Sequence, residues 1–82
     1  MSLHEFDALI DRMRLAFEYA ANLGQYTEAA KILYQMNDHL PDDLQLSLEE
    51  LENESSVRLF ISEYQYKIRS AIVEYRQRLM NF

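Results

Sequence analysis

Between Leu15 and Pro41 the chain reads LAFEYAANLGQYTEAAKILYQMNDHLP, a stretch that holds its only glycine, Gly24, and its only proline, Pro41. A helical pattern runs into Leu23-Gly24, restarts at Gln25-Tyr26 and stops at Pro41. Glycine tolerates the left-handed conformation that ends a helix. Proline removes a backbone donor and disfavours α geometry in the residue before it. The stretch therefore predicts a helical hairpin turned at Gly24, in which small alanines let two helices approach closely. One glycine and one proline leave too little turn material for an all-β fold. The expected class is all-α.

Periodicity extends the pattern in both directions. Phe6, Leu9, Ile10, Met13, Phe17 and Ala20 recur at the spacing of one buried helical face. Ser2, with Glu5 three residues on, has the form of a capping box at the start of that helix. Tyr26, Ala29, Ala30, Leu33, Met36, Asn37 and Leu40 repeat the pattern for a second helix. From Ser56 onward Val57, Phe60, Ile61, Tyr64, Ile68, Ala71, Ile72, Tyr75, Leu79 and Phe82 fall within about 120° of arc at 100° per residue. The expectation is a single domain over residues 1–82, an antiparallel three-helix bundle with helices over about 3–22, 25–40 and 56–81. A loose acidic connection, 41–55, joins the last two, and Ser47 with Glu50 allows a short extra helix over 48–53.

Size and charge narrow the function. A chain of 82 residues buries roughly 60% of its unfolded surface, so its stability is expected at about 4–12 kcal/mol. Without cysteine there are no disulfides, thiolate metal sites or thiol nucleophiles. The opening MSLHEF lacks a signal peptide's basic and apolar regions, and no apolar run approaches the roughly 20 residues that span a bilayer. A soluble cytoplasmic protein without membrane insertion is the expectation. A formal charge of −6 disfavours nucleic acid as a partner. The charge is uneven: Asp38, Asp42, Asp43, Glu49, Glu50, Glu52 and Glu54 form an acidic waist, while Arg58, Lys67, Arg69, Arg76 and Arg78 lie in the third helix.

Neither metal nor catalytic chemistry has a candidate set. His4 and His39 are the only histidines, with no HExxH pair, and no EF-hand spacing is present. The glutamates of the waist lie in a polar segment where nothing predicts the desolvation that tunes a carboxylate. The serines lack a base and its orienting group, and no glycine-rich loop could cradle phosphate. No cofactor is expected, and no enzymatic activity.

Gly24, Tyr26, Ala29 and Pro41 fall at spacings that resemble a single tetratricopeptide hairpin, although Met36 replaces that repeat's late alanine. With a third helix added, the chain resembles the microtubule-interacting and trafficking (MIT) domain. Within that group LAFEYAANLGQY, Ala29 and Tyr34-Gln35 are most similar to the N-terminal domain of katanin-type severing ATPases. Phe17 stands where that pattern has a basic residue, and one extra residue precedes Leu23-Gly24. The resemblance covers residues 15–36 and implies a protein-binding bundle that docks a partner's helix or tail between helices, or contacts microtubules.

One feature lies outside the core pattern. Leu59, Tyr66, Val73 and Met80 are spaced by seven on the back of the third helix, flanked by Arg58, Arg69 and Arg76 on one side and Glu63 and Glu74 on the other. Such a ridge suits a partner helix or a homodimer seam, unless Leu44, Leu46, Leu48 and Leu51 fold back to cover it. On the first helix Leu15 and Tyr19, with Asn22, either line a groove or flank a wide buried face. Tyr26, Tyr64 and Tyr75 belong to the core stripes, whereas Tyr19, Tyr34 and Tyr66 are candidates for partner contact. The expected function is therefore a non-catalytic protein-interaction module using Leu59, Tyr66, Val73, Met80, Arg69, Arg76, Tyr19 and Tyr34. The alternatives are a small acidic chaperone or inhibitor of the secretion-system or phage type, acting in an obligate complex, and a structural homodimer.

Overall fold

The computed structural model describes residues 2–48, 51 and 53–81. Ser2 stays extended and its hydroxyl accepts from the Glu5 amide at 3.2 Å, so α1 (Leu3–Asn22) begins where the capping pattern placed it. At the other end Gly24 takes φ 74°. Its amide donates to the Ala21 carbonyl (3.1 Å) and the Gln25 amide to the Ala20 carbonyl (2.9 Å), which is the paired closure of a left-handed helix stop. No atom lies within 4 Å of where a Cβ would stand, so φ alone requires glycine here. The turn delivers the chain into α2 (Tyr26–Asp38).

The third helix, α3 (Glu54–Met80), starts two residues earlier than the periodicity indicated. Its cap is Asn53, whose Oδ1 accepts from the Ser56 amide at 2.9 Å and from the Ser56 hydroxyl at 3.2 Å. Of the extra helix expected over 48–53, Leu48 and Leu51 are not helical, while residues 49, 50 and 52 lie outside the described residues, as does Phe82 of the core stripe.

The fold is an all-α three-helix bundle, and its contacts fix the helix directions. Phe6 meets Tyr75 edge to face at 4.8 Å and Asp7 pairs with Arg76, so the start of α1 lies beside the end of α3. The Arg58 guanidinium covers the Tyr26 ring at 5.0 Å, and Tyr34 stacks on Phe60 at 5.1 Å, so α2 and α3 start at the same end. α1 thus runs antiparallel to both other helices, but α2 and α3 run parallel. The up-down-up order of an antiparallel bundle holds only for the α1–α2 hairpin; α3 is reversed, parallel to α2 and antiparallel to α1. A short loop would have forced α3 to return alongside α2 in the opposite sense. The long 39–53 connection removes that constraint, because an extended chain covers more than twice the length of a helix per residue.

That connection is not loose in its described part. Past Pro41 a turn closes with the Leu44 and Gln45 amides donating to the Pro41 carbonyl at 2.9 and 3.0 Å. The Asn37 side chain, buried on the core face of α2, then holds the backbone of Leu46 at both poles. Its Nδ2 donates to the Leu46 carbonyl (3.1 Å) and its Oδ1 accepts from the Leu46 amide (2.9 Å). Gln45 Nε2 donates to the Leu40 carbonyl at 2.9 Å and, at 3.4 Å, to the Asp38 carbonyl, an acceptor left over at the end of α2. Arg78 grips Asp43 with two bonds, of 2.6 and 3.1 Å. Leu44, Leu46, Leu48 and Leu51 pack half-buried against the core. The described part of the acidic waist is therefore a strap drawn back along the bundle.

The core itself is built from Phe6, Ile10 and Ala20 of α1, Ala29, Ala30, Leu33 and Met36 of α2, Leu40, and Val57, Phe60, Ile61, Ile68 and Ile72 of α3. Leu9, Met13 and Phe17, which share the α1 stripe, are only half-buried. Among the described residues no helix is long and apolar enough to cross a membrane.

Candidate docking groove and ridge

α1 and α3 stand on either side of α2 and leave a groove of about 470 Å³ between them. Asp7, Ile10, Asp11, Arg14 and Phe17 form one wall, at the spacing of a single helix face. Gln65, Ile68, Arg69, Ile72, Val73 and Arg76 form the other in the same way, and buried Leu33 and Met36 of α2 make the base. Of the apolar α1 stripe, Ile10 and Phe17 line the groove, while Phe6 meets Tyr75 of α3 directly.

A bidentate ion pair closes one end. Arg76 Nε donates to Asp7 Oδ1 at 2.6 Å and its Nη2 to Oδ2 at 3.1 Å. The hydrogen bonds from Arg76 hold the Asp7 carboxyl below the usual carboxylate range, against a smaller opposing effect of desolvation, and Arg76 is raised in turn. A carboxyl that binds its proton more weakly folded than unfolded stabilises the fold above its unfolded value, about 3.9. That contribution is lost as the pH falls through the lower folded value. Asp7→Asn is accordingly expected to melt below the parent at pH 7, with the gap closing as the pH drops below about 3.9. Melting temperatures of both across that range check it, and a gap independent of pH would mean the pair adds nothing as a charge interaction.

Further along the groove Arg14 reaches Asp11 at only 3.8 Å, with both side chains well exposed, a geometry that contributes little. Arg69 has no carboxylate partner among the described residues; its guanidinium lies 5.8 Å from the centre of the Tyr66 ring. Among the described residues two carboxylates and three guanidiniums line the groove, one positive charge in excess on a chain of net charge −6.

The ridge on α3 is open to solvent. Leu59 is 71% exposed, Tyr66 61%, Val73 46% and Met80 61%. The strap leucines pack on the core and do not cover it. Val73 belongs to the ridge and to the groove wall, and Arg69 joins the groove to Tyr66, so the two features form one surface. Of the other residues singled out from sequence, Arg76 is engaged by Asp7, and Tyr34 is half-buried with its ring stacked on Phe60. Tyr19 is exposed with Leu15 and Leu23, at four-residue spacing on the outer face of α1. Leu15 and Tyr19 neither line the groove nor flank the buried face, because the core stripe of α1 is narrower than that expectation required. His4 and His39 are both exposed.

Sequence reasoning missed the α1 wall, Asp7, Ile10, Asp11, Arg14 and Phe17. The only available signal was the row of polar residues at Asp7, Asp11 and Arg14, bordering the apolar stripe at helical spacing. Comparison with protein-family profiles, with curated proteins and with solved structures found no match.

Proposed function

We propose that this chain is a non-catalytic protein-interaction module that docks a segment of a protein partner in the α1–α3 groove, with the α3 ridge as its flank. One observation carries the reading: a groove with an apolar base runs unbroken into exposed Val73 and, through Arg69, to Tyr66. Single exposed apolar residues are ordinary. A heptad-spaced stripe adjoining a groove is the arrangement used when a helix is bound between helices. The resemblance to MIT domains points to the same class through the α1–α2 hairpin alone. α3 does not return antiparallel to α2, as a continued stack of helical hairpins would, so the groove bears the weight of the argument.

Light scattering and thermal melting of the purified chain and of Val73→Glu test this. Two monomers with cooperative transitions are expected, because a change at an exposed site alters stability by no more than about 0.5 kcal/mol. A dimer that Val73→Glu splits would make the ridge a self-association seam and overturn the docking reading in favour of a structural homodimer. A chain without a cooperative transition would overturn it in favour of a subunit that folds only within an obligate complex.

A further inference from the structure

The register that pairs Asp7 with Arg76 has a second product. Seven residues on from Asp7 along α1 stands Arg14, and seven back from Arg76 along α3 stands Arg69. Seven residues are close to two full helical turns, so each arginine keeps the groove-facing side of its antiparallel wall, and both line the groove. Two guanidiniums therefore occupy the same level of the groove from opposite walls. Among the described residues neither is committed: Arg14 has the long, exposed contact to Asp11, and Arg69 only the Tyr66 ring. Ile10, Ile68 and Ile72 surround that level with apolar surface.

We propose that the groove accepts an amphipathic helix of a protein partner carrying an aspartate or glutamate on its apolar edge, the carboxylate seated between Arg14 and Arg69. This rests on the docking reading above. The partner segment is helical because the walls are helices whose backbone groups are already paired. With no strand edge to complete, a segment burying its main chain here has to satisfy its own amides and carbonyls. A proline-rich extended segment is disfavoured, since such segments dock on aromatic-lined grooves and, among the described residues, Phe17 is the one aromatic lining this one. The carboxylate follows from the guanidinium fork, which matches two oxygens in one plane. The proposal runs against the bulk electrostatics: a chain of net charge −6 draws basic peptides to its surface generally, and only a local site would select acidic ones.

Selection from a displayed library of random peptides, long enough for four helical turns, tests it with the parent chain and Arg69→Glu as targets. The expected enrichment on the parent is of sequences with apolar residues at helical spacing and one acidic residue beside them. Against a synthetic peptide of that consensus, Arg69→Glu is expected to lose about tenfold in affinity or more. A peptide with the acid changed to lysine is expected to recover part of the loss on that variant. Arg69 is exposed, so the variant should melt like the parent. Enrichment of apolar helical peptides with no acidic preference, or with basic residues, would overturn the carboxylate site and leave the docking reading standing. No enrichment on the parent would overturn both.

Discussion

Asn37→Leu is expected to destabilise the protein by about 2–4 kcal/mol, because it strands both polar groups of one peptide segment. The Leu46 amide and carbonyl have the Asn37 side chain as their partner, at 2.9 and 3.1 Å, in a half-buried position beneath the strap. Leucine keeps the branched skeleton of asparagine but can neither donate nor accept, and each buried group left unpaired costs about 1–3 kcal/mol. For a domain of this size that loss lowers the melting temperature by roughly 10–25 °C. Asn37→Asp sharpens the test. Ionised, it keeps an acceptor for the Leu46 amide but turns an oxygen toward the Leu46 carbonyl. Protonated, it regains a donor, so its deficit relative to the parent should shrink as the pH falls. Urea melts of the three proteins give the comparison. A change in Asn37→Leu within about 0.5 kcal/mol would show that the strap is not held by this side chain.

Phe6→Ala is expected to be costlier still, at about 3–5 kcal/mol. The Phe6 side chain is fully buried and meets Tyr75 edge to face at 4.8 Å, joining the start of α1 to the end of α3. Alanine there forfeits the burial, the ring contact and the packing of whatever lines the remaining cavity. Against a total of about 4–12 kcal/mol, that loss ranges from about a quarter of the stability to all of it. Phe6→Leu should retain most of the stability, losing less than about 1.5 kcal/mol. Leu59→Ala, on the exposed ridge, serves as the control and should change little. Equal losses at positions 6 and 59 would be incompatible with this core.

The helices were legible because each carries a signal that acts locally. Apolar spacing marks the buried faces of Phe6–Ala20, Ala29–Met36 and Val57–Ile72, and Gly24 marks the one place among the described residues with positive φ. The direction of α3 was not legible, since periodicity describes which face is buried and says nothing about which way a helix lies against its neighbour. Two clues to the strap were nonetheless present. Leu44, Leu46 and Leu48 alternate with polar residues, the period of an extended segment with one face inward, and that pattern outweighs the acidic composition that suggested a loose linker. Asn37 sits on an otherwise apolar stripe, and a polar side chain there has to find a partner from a distant part of the chain. The groove had no such clue. It depends on the gap between two walls that the sequence presents separately, and the Asp7–Arg76 pairing that sets their register joins residues far apart along the chain.

The depth of the groove is governed from below. Between α1 and α3 the base is made by Leu33 and Met36 of α2, while the charged residues that meet a guest stand on the walls. α2 thus floors the site: Leu33 and Met36 supply its apolar base, so their bulk bears on how deep a guest can sit. Depth and charge are encoded on different helices. The floor can be raised or lowered from α2 without rewriting the walls, and the charge pattern on the walls can change without disturbing the floor.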